Sequence, residues 1–201
     1  MNKPEYVKVN NELYELNTDF RIAIRCNEIA TDENIGDYER ALAILYLLYG
    51  DVGLNEVEIQ NELLEKGMKY LSLGQEQNGS NNNVDKNRLD ISKCKGLIKS
   101  SFKYDYGYDP YELEYLHWYD FYNDLENLSS NEFGTCCILN RVNNLLNMDL
   151  STIKDNKQRN KMKEAQNQII EQYCYKPNKK MTKEQENSAN EFYSALFRKE
   201  M

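Results

Sequence analysis

The spacing of apolar positions changes several times along the chain, and each change marks a predicted element. Tyr6 to Leu16 alternates about Asn10-Asn11. Period-two alternation suits strands, and Asn tolerates the positive φ of a tight turn, so a small N-terminal β-hairpin is expected. From Asn17-Thr18-Asp19 the spacing turns helical, through Phe20, Ala23, Ile24 and, after a break, Ile29 and Ala30. A second helix carries Ile35, Tyr38, Leu42, Leu45 and Tyr49 on one stripe, with Asp37 as cap and Gly50 as stop. It is apolar almost all round and is expected at the centre of the N-terminal unit. Asn55 and Glu58 open a capping-box helix to Leu71 that carries Val57, Ile59, Leu63 and Leu64.

The pattern then lapses. Residues Gly74 to Asn87 are rich in Asn, Gln, Gly and Ser and nearly free of apolar side chains, as in a flexible linker or long loop. The pattern resumes at Leu89 with an amphipathic helix to Phe102, interrupted by Gly96 and closed by a loop from Tyr104 to Tyr108. Asp109-Pro110 suits a helix start, because Asp caps and Pro at the first position forfeits no needed hydrogen bond. The predicted helix runs from Pro110 to Leu128, with Tyr111, Tyr115, Trp118, Tyr122 and Leu125 on one stripe and His117, Asp120 and Asp124 opposite. Ser129-x-x-Glu132 opens a further helix with Phe133, Cys136, Cys137, Leu139, Val142 and Leu146 as its apolar positions. Asp149 is the predicted cap of a last long helix from Leu150 to Tyr173. After Lys176-Pro177, Thr182 and Gln185 start a tail helix with Phe192, Tyr193, Ala195, Leu196 and Phe197.

The expected fold is therefore mainly α: a hairpin plus helices over 1–73, a linker over 74–88, a C-terminal helical bundle over 89–175 and an amphipathic tail helix over 176–201. Only 3 Pro and 9 Gly interrupt the chain, which permits long helices. A mean hydropathy of -0.82 would suit disorder, but 16 Tyr and 6 Phe supply the apolar area of a core. The longest apolar run, Ala41 to Tyr49, is too short to span a bilayer, and the polar N-terminus is unlike a signal peptide, so a cytoplasmic protein is expected.

Candidate chemistry is sparse. The single His, His117, lies near Asp120 and Asp124 on the predicted helix but has no nucleophile beside it. The five cysteines, Cys26, Cys94, Cys136, Cys137 and Cys174, lack Cys-x-x-Cys spacing and read as free thiols rather than metal ligands or disulfides. No phosphate-binding, dinucleotide-binding, zinc-protease or hydrolase motif is present, so no catalytic, cofactor or metal residues are expected. Lys154, Lys157, Arg159, Lys161 and Lys163 form a basic patch that continues in Lys176, Lys179, Lys180 and Lys183. A net charge of -8 and the interrupting acids Asp155, Glu164 and Glu171 argue against nucleic acid as its partner. A solvated helix, or one complementary to the acidic N-terminal unit of a neighbouring copy, fits better. Tyr combines a rigid apolar body with a polar tip, which makes the loop residues Tyr104, Tyr106 and Tyr108 protein-interface candidates; Trp118, Tyr115 and Tyr122 read as core.

Several runs resemble the bacteriophage gene-product-fifteen family: Leu97-Ile-Lys-Ser-Ser-Phe-Lys-Tyr-Asp-Tyr-Gly-Tyr-Asp-Pro110, His117-Trp-Tyr-Asp-Phe-Tyr-Asn-Asp-Leu125, Ile138-Leu-Asn-Arg-Val142 and Ile153-Lys-Asp155. Phe20-Arg-Ile-Ala-Ile-Arg25 and Leu45-Tyr-Leu-Leu-Tyr-Gly-Asp51 resemble its N-terminal half, and the likeness extends to about Gln168. The resemblance implies a gene product encoded between the tail-tube and tape-measure proteins of long-tailed phages and prophages. It implies a non-enzymatic tail-assembly chaperone whose partners are the tape-measure protein and the tail-tube protein. Beyond the matched runs, the amphipathic tail offers Phe192, Leu196 and Phe197 as further interface candidates, and the complementary charge of the basic helix and the N-terminal unit allows self-association. A minor structural or tail-completion protein of the virion, and a nucleic-acid-binding regulator using the Lys154 to Lys183 region, are the alternatives.

Overall fold

A computed structural model describes residues 3–32, 34–55, 57–74, 89–129 and 137–174. The described chain is mainly helical, with one two-stranded antiparallel hairpin at its N-terminus. β1 (Tyr6–Val9) pairs with β2 (Glu12–Glu15) in the register Val9↔Glu12 to Tyr6↔Glu15. Asn10 (φ 47°) and Asn11 (φ 70°) form the intervening turn, both in the left-handed region that a two-residue hairpin requires.

The helices of the first unit are α1 (Phe20–Thr31), α2 (Asp37–Tyr49), α3 (Val52–Asn55) and α4 (Gln60–Leu71). Asp19 caps α1 by accepting from the Arg21 amide at 2.8 Å. α1 is continuous and buries Phe20, Ala23, Cys26 and Ile29. α2 is the centre of this unit, touching α1, α3 and α4. Gly36, rather than Asp37, precedes it, and its amide donates to the Glu39 carboxylate at 2.9 Å; Asp37 sits inside the first turn and pairs with Arg40. The expected stop at Gly50 is present, with φ at +65°. The single helix expected from Asn55 is instead a 3-10 turn (Val57–Ile59) followed by α4, and the short α3 ends at Asn55. α4 and α2 approach closely at Gly67, where a Cβ would stand 2.7 Å from Leu48 Cδ1.

Residues Leu116–Tyr119 cluster with the N-terminal unit rather than with their sequence neighbours. The Phe20 amide donates to the Leu116 carbonyl at 3.0 Å and the Trp118 amide to the Thr18 carbonyl at 2.8 Å, making an isolated antiparallel bridge between Asp19 and His117. This pairing holds Leu116 and His117 out of helical conformation and overrides the helix expected from Pro110. α6 spans only Trp118–Glu126, and 110–114 form a turn and a bend. The aromatic stripe predicted on that helix therefore does not exist as one face. Trp118 is buried, Tyr122 is half-buried and Tyr115 is exposed.

The described part of the second unit holds α5 (Lys95–Asp105), most of α6, α7 (Ile138–Leu146) and α8 (Asn156–Tyr173). α7 touches both α5 and α8. Gly96 does not interrupt α5 but lies in its first turn, with open space around it. Asp149 caps only a 3-10 turn (Leu150–Thr152), and Asp155 is the cap of α8, accepting from the Gln158 amide at 2.7 Å. The Ser129-x-x-Glu132 box and the tail helix over 176–201 fall largely or wholly outside the described residues. Ser129 itself donates to Asp105 and accepts from the Cys137 amide at 3.2 Å.

Candidate interaction surfaces

The tyrosine cluster is built outward from the core of the second unit. Phe102, on the inner side of α5, is fully buried and stacks on Phe121 of α6 at 5.6 Å and 16°. Tyr106 and Tyr108 stand edge-on to Phe102 at 5.4 and 5.6 Å and stack on each other at 6.1 Å. Gly107, at φ +77°, reverses the chain between them, a conformation that a side chain would strain. Their hydroxyls donate to the Asp124 backbone carbonyl at 2.8 Å and the Asp124 carboxylate at 2.6 Å, respectively. Burial first, then Asp124, pushes both phenols upward, so both remain neutral donors at physiological pH.

Tyr104 lies on the outer side of the last turn of α5 and is 65% exposed; Tyr106 is 37% exposed and Tyr108 is half-buried. Two of the three rings are thus fixed at both ends and the third projects into solvent. The cluster offers a partner apolar area whose side-chain entropy is already largely spent.

Asp109 closes the next turn. Its carboxylate accepts from the Tyr111 amide at 3.0 Å and pairs with Lys99 at 2.9 Å and Lys103 at 3.5 Å. Burial favours its neutral form, but Lys99, the Tyr111 amide and Lys103 outweigh that and hold the carboxyl below its usual range. Lys103 also reaches Glu112 at 3.6 Å, and the Lys95 ammonium lies 4.7 Å from the Tyr111 ring centre. Asp109 thus organises a charged turn instead of capping a helix.

The basic patch lies before and along the N-terminal half of α8. Lys154, Lys157, Lys161 and Lys163 are exposed, whereas Arg159 turns back and donates through Nε to the Ile153 carbonyl at 3.0 Å. Gln166 anchors the helix by donating to the carbonyls of Leu145, Leu146 and Met148 at 3.0, 3.3 and 2.9 Å. No residue of α8 is buried.

His117, expected beside Asp120 and Asp124 on the face opposite the aromatic stripe, is 5% exposed and packs against Tyr70 and Tyr119. Its Nδ1 accepts from the Tyr119 amide at 3.0 Å, which fixes the ring as a structural group. Cys26, Cys94, Cys137 and Cys174 are free and buried, and burial pushes the thiols of Cys26 and Cys94 up to about 12. Such thiols hold almost no nucleophilic thiolate near pH 7. Cys136, Phe192, Leu196 and Phe197 lie outside the described residues. Among the described residues, no group of three His, Cys, Asp or Glu side chains could hold a metal ion, and no helix is long and apolar enough to cross a membrane.

One exposed surface was not legible in the apolar pattern. Tyr38 and Tyr46, on a helix that is apolar almost all round and expected at the centre of its unit, are 57% and 52% exposed, with half-buried Leu42 between them. The buried face of α2 is Ala41, Ile44, Leu45, Leu48 and Tyr49. The available signal was residue type, because tyrosine at i and i+8 keeps a polar tip that Leu and Ile lack.

Fold and surfaces together describe a mainly helical protein in which the prominent exposed features are aromatic and charged side chains. The model of the Bacteriophage Gp15 protein family matches residues 2–171, and the chain belongs to that family. It is therefore a phage-related protein. No curated protein and no solved structure matches the chain.

Proposed function

We propose that this protein is a non-enzymatic tail-assembly chaperone of a long-tailed phage or prophage, acting in the host cytoplasm. It holds a helical segment of the tape-measure protein and helps to recruit tail-tube subunits. The observation that carries this reading is the cluster of Tyr104, Tyr106 and Tyr108, locked by Phe102 and Asp124 and open on its outer side. Rigid tyrosines beside acidic groups suit an amphipathic helix, which presents apolar anchors at i, i+3 and i+4. The tail residues Phe192, Leu196 and Phe197 are assigned to the same recognition.

Co-expression with overlapping tape-measure fragments tests the proposal. One fragment should co-elute with the wild-type chain and be lost from a Tyr104→Ala/Tyr106→Ala variant. Failure of every fragment to co-elute with a well-folded protein refutes it. Mass spectrometry of purified particles separates a chaperone, absent from them, from a structural or completion protein, present in them.

A further inference from the structure

The exposed flank of α2 lies in a strongly acidic stretch. Residues 32–58 carry seven carboxylates and a single basic residue, Arg40. Arg40 contributes little outward charge, because it donates to the carbonyls of Ile29, Asp32 and Ile35 and pairs with Asp37. Tyr38, Leu42 and Tyr46 follow i, i+4, i+8 spacing along the helix, and exposed Val52 (43%) and Val57 (71%) follow it in the chain. The carboxylates Glu39, Asp51 and Glu58 of the same stretch are also exposed.

α8 has the complementary character. The stretch 154–163 carries five basic residues and one acid. Among the described residues, no hydrogen bond or ion pair engages the side chains of Lys154, Lys157, Lys161 or Lys163. Lys157 stands in the first turn, where a cation opposes the helix dipole and the Asp155 cap supplies the one carboxylate. Lys157 and Lys161 are also a like-charged i, i+4 pair. An external anionic surface relieves the crowding of these like charges. Lysine stems can cover tyrosine rings while their ammonium groups reach carboxylates.

We propose that α8 of one copy docks on the Tyr38–Leu42–Tyr46 flank of α2 in a second copy, with Lys157 and Lys161 meeting the Asp51 and Glu58 side. The contact joins two different faces, so each added copy leaves one α2 flank and one α8 open, and association continues head to tail unless it closes into a ring. The proposal is independent of the tape-measure reading, because it uses neither the tyrosine cluster of 104–108 nor the tail.

Two charge-reversed chains test it. Lys157→Glu/Lys161→Glu makes the docking helix acidic, and Asp51→Lys/Glu58→Lys makes the receiving flank basic while leaving the Glu39 cap intact. By sedimentation velocity at about 50 mM salt, wild-type mass should rise with concentration and fall back towards monomer at about 0.5 M salt. Each variant alone, shown to be folded by circular dichroism, should associate at least about tenfold more weakly. Mixing the two should restore association, because each then finds an oppositely charged face. A wild-type chain that stays monomeric, variants that associate undiminished, or a mixture that fails to recover overturns the proposal. Wild-type retention on a DNA duplex that the lysine variant loses, with no change of mass, assigns the lysines to nucleic acid and also overturns it.

Discussion

Trp118→Ala probes how residues far downstream become part of the N-terminal unit. The indole is 2% exposed, and its Nε1 donates to the Leu71 carbonyl at 3.2 Å. Leu71 ends α4, so its carbonyl is one of the last-turn acceptors that no helical amide satisfies. Truncation removes a fully packed ring and leaves that carbonyl without its donor. The loss should be about 3 to 5 kcal/mol, of which the hydrogen bond accounts for about 1. For a chain of this length the melting temperature should fall by about 6 to 20 °C. Trp118→Phe keeps most of the apolar volume and should lose about 1 to 2 kcal/mol. This is the only tryptophan, so the assay is urea and thermal unfolding followed by circular dichroism at about 222 nm rather than fluorescence. A loss below about 1 kcal/mol for the alanine variant would refute the core assignment.

Asn11→Ala forces a Cβ-bearing residue without an Asx side chain into φ 70° and should cost about 1 kcal/mol, whereas Asn11→Gly should be neutral or stabilising; unfolding midpoints check both. Asp109 and Asp90 have carboxyls held below their usual range, so the stability they contribute is present above the unfolded value of about 3.9 and is lost as pH falls through the folded value. Melts across the acid range should show that limb, and Asp109→Asn should flatten it. In a Cys136→Ser background, the four buried thiols should react with a disulfide reagent only after unfolding; fast reaction in the native state contradicts their burial. Tyr104→Ala should change stability by less than about 0.5 kcal/mol, since the ring is 65% exposed, while weakening tape-measure binding about tenfold or more.

Local chemistry was readable where neighbours in sequence decide the conformation. The Asn10-Asn11 turn and the Gly50 stop are each settled by one residue's own φ. Asp109-Pro110 misled because its local signal is equally good for a turn. Whether the helix forms depends on Thr18 and Phe20, which draw 116–118 into a bridge from almost a hundred residues away. His117 was misplaced for the same reason, since its helical face existed only in the predicted helix. Asp149 and Asp155 are both good caps, and spacing alone did not show which one opens the long helix. Tyr104, Tyr106 and Tyr108 stood out by residue type, but their bracing between Phe102 of α5 and Asp124 of α6 depends on tertiary packing and was not legible. The exposed row on α2 was hidden because an all-apolar helix carries no periodic mark of its outer side.

The central claim, that the tyrosine cluster is a docking surface for the tape-measure protein, is tested most directly by calorimetric titration of the purified chain with tape-measure fragments. The account predicts saturable binding by one fragment at about micromolar affinity, weakened about tenfold or more by Tyr104→Ala in a chain that melts no more than a few degrees lower. Binding of equal strength in that variant, or no heat with any fragment from a folded wild-type chain, would contradict it.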